Sequence, residues 1–486
     1  MEVGRRLMLI NGQWVEGRSG EFLAVENPAR KGSIVGEVPR GKEMDVDDAV
    51  SSAAKAFESW RQIRPRERGK FMIQIGEAIE TKTNEIARIT ALETGNAIRT
   101  QSRPEAMLTA DIFRYFGGVA SEIKGETVPL GENLLSYSRR EPIGVVGGIV
   151  PWNSPVGLAA LKIAMSITAG NTLVLKPSSE APLAVLEVAR ICSECLPPGV
   201  LNVVTGTGLE CGLPLARHPL VKKLTFTGSY EIGRTIMEAA AERIVPITLE
   251  LGGKSPQIVF PDADEPQGVE GVLLAMRFTR QGQSCTAGSR LFLHESIYDS
   301  FLEKLVNKLK SLKIGDPLDE STDIGALINR TQFEKVCSFV EEGMRQKGAR
   351  LLTGGIPPKE GPLSQGYFME PTVFSNARND WRIAQEEIFG PVLVAIPWKE
   401  EEEAIRMANE SHYGLAAFIW THDIGKALRT AHRIESGWVQ INQGVGIVPG
   451  QSYGGFKQSG LGREYSLEGM LESFTQRKSI TINLQF

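Results

Sequence analysis

The chain has 486 residues, with 54 Lys+Arg against 58 Asp+Glu, 42% hydrophobic and 23% charged residues, and a formal net charge of −4. That length predicts about three domains at roughly 150 residues each, and the composition is that of an ordinary soluble globular chain. The near-neutral balance argues against a nucleic-acid partner, which needs a basic excess on a whole domain.

Elements in chain order begin with helical patterns. Val46, Ala49, Val50, Ala53, Ala56, Phe57 and Trp60 recur at spacings of three and four, which predicts an amphipathic helix over 45–61. Similar patterns predict one helix over 65–93 and another over 104–119. The polar segment ETVPLGENLLSYSRREP follows; it reads as an extended excursion, either an arm that pairs with another subunit or a surface hairpin.

Between Glu141 and Lys176 lie 34 residues in which Lys162 is the sole charge. A spanning helix of ~20 residues would fit this gap by length. Pro142, Pro151, Pro155, Asn153 and Ser154 interrupt it, and lipid could not satisfy the backbone groups those residues free. A buried strand, IGVVGGIVP, then a buried helix is the better reading, with Ser154 as cap, Pro155 in the first turn and Gly170 just past the end. No membrane association is expected. NTLVLKP, VLNVVTG, VKKLTFTGS, ITLELGG and PQIVF continue as apolar strands, with the helix APLAVLEVARICSECL among them. Such alternation predicts an α/β fold around a parallel sheet covered on both faces. LFLHESIYDSFLEKLVNKLKSLKIG reads as a further strand and helix, and TQRKSITINLQF as a last strand.

Arg5-Arg6 is followed by only four apolar residues, too few for a secretory signal. Five cysteines form no disulfide framework, so a cytoplasmic location is expected. Cys192 and Cys195 form a C-x-x-C without a second pair or a His cluster. Two small residues on a helix turn is the preferred reading, and no metal site is expected.

Four segments offer chemistry. In GQSCTAGSR, Cys285 stands among small residues that leave room for substrate, and turn N–H groups can lower a thiol pKa and hold an oxyanion. A structural cysteine is the competing reading. In ELGGKSP, Glu250 ends an apolar strand, where a buried carboxylate can serve as general base or merely be salt-bridged. In PWNSP, Asn153 can donate to an oxyanion or simply cap a helix. In FTGSYEIGR, Gly228 and Gly233 allow close backbone approach, and Ser229 opens a helix whose N-terminus suits a pyrophosphate. Its G-x-x-x-x-G spacing is not the dinucleotide fingerprint. A papain-type hydrolase would want a His base, yet none of the five histidines has a distinctive setting.

In this order, LVLKPS, FTGSxxxGR, LELGGKSP, GQxCxAGSR, EEIFGPV and GGFKQSGLGRE together resemble the aldehyde dehydrogenase superfamily, from NGQWVEG at 11–17 to the final strand. The resemblance implies an aldehyde-dehydrogenase-like α/β fold. Its parts would be a Rossmann-type parallel-sheet cofactor domain (1–120 and 142–251), an α/β catalytic domain (252–455), and an oligomerisation arm with the C-terminal strand (121–141 and 456–486). It also implies an NAD(P)-dependent enzyme oxidising an aldehyde to the acid. Cys285 would attack the aldehyde, Asn153 and the Cys285 N–H would hold the oxyanion, and Glu250 would activate the hydrolytic water. Lys162 and Glu464 match positions of a proton relay.

For the cofactor, the resemblance implies Lys176 at the adenosine ribose and Glu387 at the nicotinamide ribose. Phe389, Pro151, Trp152, Ser179, Gly228, Ser229, Gly233 and Leu251 would lie around them. Three residues after Lys176, NAD-preferring relatives usually carry Glu; here Ser179 stands there and Glu180 follows, so NADP should be tolerated beside NAD. The substrate tunnel would take Ser154, Gly157 and Leu161 from one helix, Ser284 and Thr286 beside the nucleophile, and Val445, Ile447 and Tyr453 from a C-terminal loop. An uncharged tunnel for an apolar or aromatic aldehyde is expected. The alternatives are a semialdehyde or CoA-acylating enzyme, a cofactor-free Cys hydrolase, and a non-catalytic descendant. A homodimer or homotetramer is implied.

Overall fold

The computed structural model describes residues 2–357 and 360–486. An eight-stranded sheet forms its first half. Val145–Ile149 sits at the centre, flanked on one side by Thr172–Lys176 and Leu201–Val203, and on the other by Val221–Thr227 and Ile247–Glu250. These five strands run parallel. Their order reverses between Val145–Ile149 and Val221–Thr227, and in such sheets ligands bind beyond the carboxyl ends of the strands at that reversal. Pro151–Asn153 and Gly228 lie there in the chain. The expected parallel α/β architecture is what the chain forms, and its reason is burial: every residue of Thr172–Lys176 is buried, as central parallel strands require.

A second sheet of seven strands carries Pro256–Val259, Arg290–His294 and Val392–Trp398 near its middle. The third is antiparallel: Thr475–Asn483 pairs along its whole length with Leu134–Pro142, which pairs with Thr127–Pro129. The excursion after Gly125 is therefore a hairpin joined by the last strand.

Three expectations shift. The helix over 65–93 is two helices, Pro65–Thr81 and Thr83–Thr94. The break is at Lys82, whose backbone leaves the helical region (φ −108°, ψ 7°), between two threonines whose hydroxyls donate to carbonyls three residues back. The segment 456–486 does not all belong to the arm. Gly460–Leu461 adds antiparallel to Ile247–Glu250 at the edge of the first sheet, with Glu250 opposite Gly460, because this edge strand has unpaired backbone groups to satisfy. Ser154 does not cap the helix Pro155–Thr168 through its side chain. The buried Glu105 does so instead: its Oε1 accepts from the N–H groups of Val156 and Gly157, each at 3.1 Å. A carboxylate at a helix N-terminus satisfies donors that have no partner within the helix.

Gly170 ends that helix at φ +97°, as expected for a residue just past a C-cap. Cys192 is buried on the helix Leu183–Cys195, and both cysteines of the C-x-x-C are free. Among the described residues no three His, Cys, Asp or Glu side chains group as metal ligands, and no helix is long and apolar enough to cross a membrane.

Candidate active site

A cavity of about 530 Å³ is lined by Cys285, Glu250, Asn153 and Glu464, and takes residues from strands of both large sheets, Thr227 and Glu250 from the first and Trp438 from the second. Three separate elements bring the first three together. Asn153 follows strand Val145–Ile149 and precedes the helix Pro155–Thr168. Glu250 is the last residue of its strand. Cys285 lies in a turn closed by the Ala287 N–H donating to the Ser284 carbonyl at 3.0 Å. The Asn153 amide donates to the Gln283 carbonyl at 3.1 Å, which holds it beside that turn.

Burial dominates the electrostatics. It pushes the Cys285 thiol up to about 11, against the downward pull of a hydrogen bond from Tyr453. This departs from the expectation of a thiol lowered by turn N–H groups: withdrawal of sulfur from water outweighs the downward pulls of Tyr453 and Arg280. Burial, reinforced by the neighbouring Glu464, raises Glu250 well above the usual carboxylate range. Neither Glu250 oxygen has a hydrogen-bond partner among the described residues. Unpartnered buried acceptors are costly, so the carboxyl is free to engage a water.

Behind Glu250 lies a charged pair. The fully buried Lys162 donates to Glu464 Oε1, which also accepts from Thr225 Oγ1 at 3.1 Å. Lys162 is thus the one charge in the apolar stretch because it is matched there.

The residues expected around a dinucleotide gather at the carboxyl ends of the first sheet. Lys176 ends its strand, is buried, and is drawn down to about 8 by burial. Ser229 caps the helix Tyr230–Ala241, and Gly233 packs so closely on Leu251 that a Cβ there would lie 2.4 Å from its side chain. Glu387 accepts from the Gly253 N–H at 3.0 Å, and burial lifts it to about 7. A Cβ on Gly252 would come within 2.3 Å of Glu387 Oε2, so the glycine is what lets that carboxylate approach the loop. Phe389, at φ 57°, meets Trp152 edge to face with ring centroids 5.3 Å apart. Ser179 is half-buried, while Glu180 is engaged elsewhere, accepting from Asn329 Nδ2 at 3.0 Å. A buried amine, a capped helix N-terminus and a carboxylate held at a glycine loop suit ribose hydroxyls and a pyrophosphate.

On the substrate side the cavity takes in Ser154, Ser284, Thr286, Val445, Ile447 and Tyr453. Gly157 and Leu161 do not line it. Leu161 is fully buried in the hydrophobic core, and a Cβ on Gly157 would meet Glu105; Leu158 takes the wall position. Nor is the cavity uncharged. Glu105, Arg277 and Arg280 line it, with Arg280 donating to Ser154 Oγ at 2.7 Å and to Gln101 Oε1 at 2.8 Å. Arg277 donates to the carbonyls of Gly444 and Val445. Arg277 and Arg280 stand within nine positions of Cys285 and could have been suspected; Glu105 sits in an amphipathic helix and gave no signal. Among the described residues no histidine lines the cavity.

Comparison with known proteins agrees with this geometry. Residues 14–480 match the aldehyde dehydrogenase family. The chain is 41% identical over 482 residues to the hydroxyisobutyraldehyde dehydrogenase of Mycolicibacterium austroafricanum, covering 99% of this chain and 94% of the relative. Among solved structures, PnpE in complex with nicotinamide adenine dinucleotide superposes with a TM-score of 0.96 at 38% identity, covering 100% of this chain and 98% of PnpE. The NAD-dependent aldehyde dehydrogenase from Sinorhizobium meliloti gives the same TM-score at 38% identity, over 99% and 95% of the two chains. With motifs, fold and relatives in agreement over nearly its whole length, the chain belongs to the aldehyde dehydrogenase family.

Proposed function

We propose that the protein oxidises an aldehyde to its carboxylic acid with NAD or NADP, through a thioester on Cys285. The observation that carries this reading is the convergence of Cys285, Asn153 and Glu250 on one cavity from three separate elements. Cys285 Sγ adds to the carbonyl carbon, and the Asn153 amide with the Cys285 N–H holds the oxyanion that forms. A dinucleotide held there would supply the hydride acceptor that oxidation of the Cys285 adduct to a thioester requires. Lys176 and Ser179 would hold its adenosine ribose, Ser229 and Gly233 its pyrophosphate, and Glu387 its nicotinamide ribose. Glu250 then takes a proton from the water that attacks the thioester carbonyl, and the C–S bond breaks to release the acid. The Lys162–Glu464 pair behind Glu250 provides a buried route for that proton.

Leu108, Leu158, Leu274 and Ile447 suit the apolar or aromatic body of an aldehyde, while Arg280 and Gln101 give its far end polar neighbours. The relative that acts on hydroxyisobutyraldehyde supports a small substrate with one polar group. The antiparallel arm exposes Leu134, Leu135 and Ile482, which supports pairing between subunits as a homodimer or homotetramer, measurable by light scattering on the eluting protein.

Aromatic, aliphatic and charged aldehydes assayed with both dinucleotides test the reading. Reduced dinucleotide should form with the wild type and not with Cys285→Ala. A Cys285→Ala variant as active as wild type would overturn it.

A further inference from the structure

Tyr453 is poised on the nucleophile in a way the mechanism above does not use. Its hydroxyl lies 3.5 Å from Cys285 Sγ, and this is the hydroxyl's one hydrogen-bond contact among the described residues. The ring is buried and wedged edge to face between Trp438 and Tyr465, with centroids 5.8 and 5.6 Å away. Its backbone is fixed as well: the N–H donates to the Glu464 carbonyl at 3.1 Å, and its carbonyl accepts from the Glu464 N–H at 2.8 Å. A side chain held this firmly at both ends has little rotameric freedom, so the place of its hydroxyl is set by the fold.

We propose that Tyr453 is a positioning residue for Cys285, its hydroxyl fixing the sulfur and donating to the thiolate as that forms. This rests on Cys285 being the nucleophile. The phenol is the donor, because a thiolate can only accept and a hydrogen bond to an ionised acceptor is the stronger kind. Other groups act on the same sulfur: Glu250 and Glu387 disfavour its ionisation, and Arg280 favours it. Arg277 and Tyr465 lie within electrostatic reach. Of the side chains, Tyr453 alone has a hydrogen bond to the sulfur among the described residues, so its loss is not covered by a neighbour.

The test is the pH dependence of iodoacetamide alkylation at Cys285, measured for wild type and Tyr453→Phe with Cys285→Ala subtracting the other cysteines. The Phe variant keeps the ring and loses only the donor. Its alkylation midpoint should rise by about one pH unit, which is about tenfold less thiolate below the midpoint, with the thermal transition unchanged. An unmoved midpoint in the folded variant overturns the proposal. Should Tyr453→Phe not fold, the tyrosine ultraviolet resonance Raman spectrum is compared between wild type and Cys285→Ala instead. A change in the hydrogen-bond-sensitive doublet supports the contact, and identical spectra refute it. If no aldehyde is oxidised by any of these proteins, the dehydrogenase reading fails, while the midpoints still decide the role of Tyr453.

Discussion

Lys162 and Glu464 are 302 positions apart in sequence, yet each is fully buried and they share one hydrogen bond beneath Glu250. Removing one partner of such a pair leaves a charge with no water and no counter-ion. Lys162→Met should therefore destabilise the fold by about 3–5 kcal/mol, and the double variant Lys162→Met/Glu464→Leu should recover part of that loss. Thermal or urea unfolding of the three proteins measures it; a double variant no more stable than the single one would show that the pair is not the unit.

On the proposed mechanism Glu250 should set the acid limb of the rate. A general base works ionised, and burial with the Glu464 charge holds this carboxyl well above its ordinary value. Hydrolysis should gain rate as pH rises through that raised value and lose it as pH falls. Glu464→Gln removes the negative neighbour and leaves Lys162 in place, so the limb of kcat should move to lower pH. Glu250→Gln should lower kcat by about 10²–10⁴-fold, while a single turnover of reduced dinucleotide still forms.

Lys223 gives a pH dependence of stability with the same sense as acid denaturation, but in the neutral-to-alkaline range. It is buried, donates to Thr248 Oγ1 at 2.6 Å, and burial draws its ammonium down to about 7. An unfolded lysine keeps its proton to about 10.4, so between these values the unfolded chain binds more protons and stability rises with pH. The contribution is fully present above the unfolded value and is lost as pH falls toward about 7. Lys223→Met should flatten this slope by close to one proton, about 1.4 kcal/mol per pH unit. Urea midpoints at about pH 7 and about pH 9 give the comparison.

On the proposed reading cofactor choice should turn on Ser179. With a neutral hydroxyl there and Glu180 held by Asn329, kcat/KM for NADP should fall within about a hundredfold of that for NAD. Ser179→Glu should lower NADP use selectively, since its carboxylate accepts from a ribose hydroxyl and repels a phosphate. A wild-type preference for NAD beyond that range, or a Ser179→Glu protein with an unaltered ratio, refutes the assignment.

The meeting of Asn153, Glu250 and Cys285 at one cavity is foreshadowed in the sequence because each sits at a strand end or in a small-residue turn, where local sequence constrains the backbone. The tunnel wall is less so. Ser154, Leu158 and Leu161 share one helical face at spacings of four and three, but the cavity reaches only the first turn, and beyond it the core covers Leu161. How far a cavity extends along a helix depends on what packs against it. Glu105 was invisible for the same reason: it reads as a solvated helix charge, and only the docking of its helix makes it the cap of Pro155–Thr168. The continuous apolar pattern over 65–93 hides the break at Lys82, which rests on the hydroxyl bonds of the two flanking threonines.

The short strand Gly460–Leu461 ties the loop carrying Tyr453 and Glu464 to the edge where Glu250 ends. Tyr453, Glu464 and Glu250 therefore share one mechanical linkage. A nick or slip in the register of this single antiparallel pair would displace all three together, so catalysis should be lost cooperatively at this edge well before the two large sheets unfold.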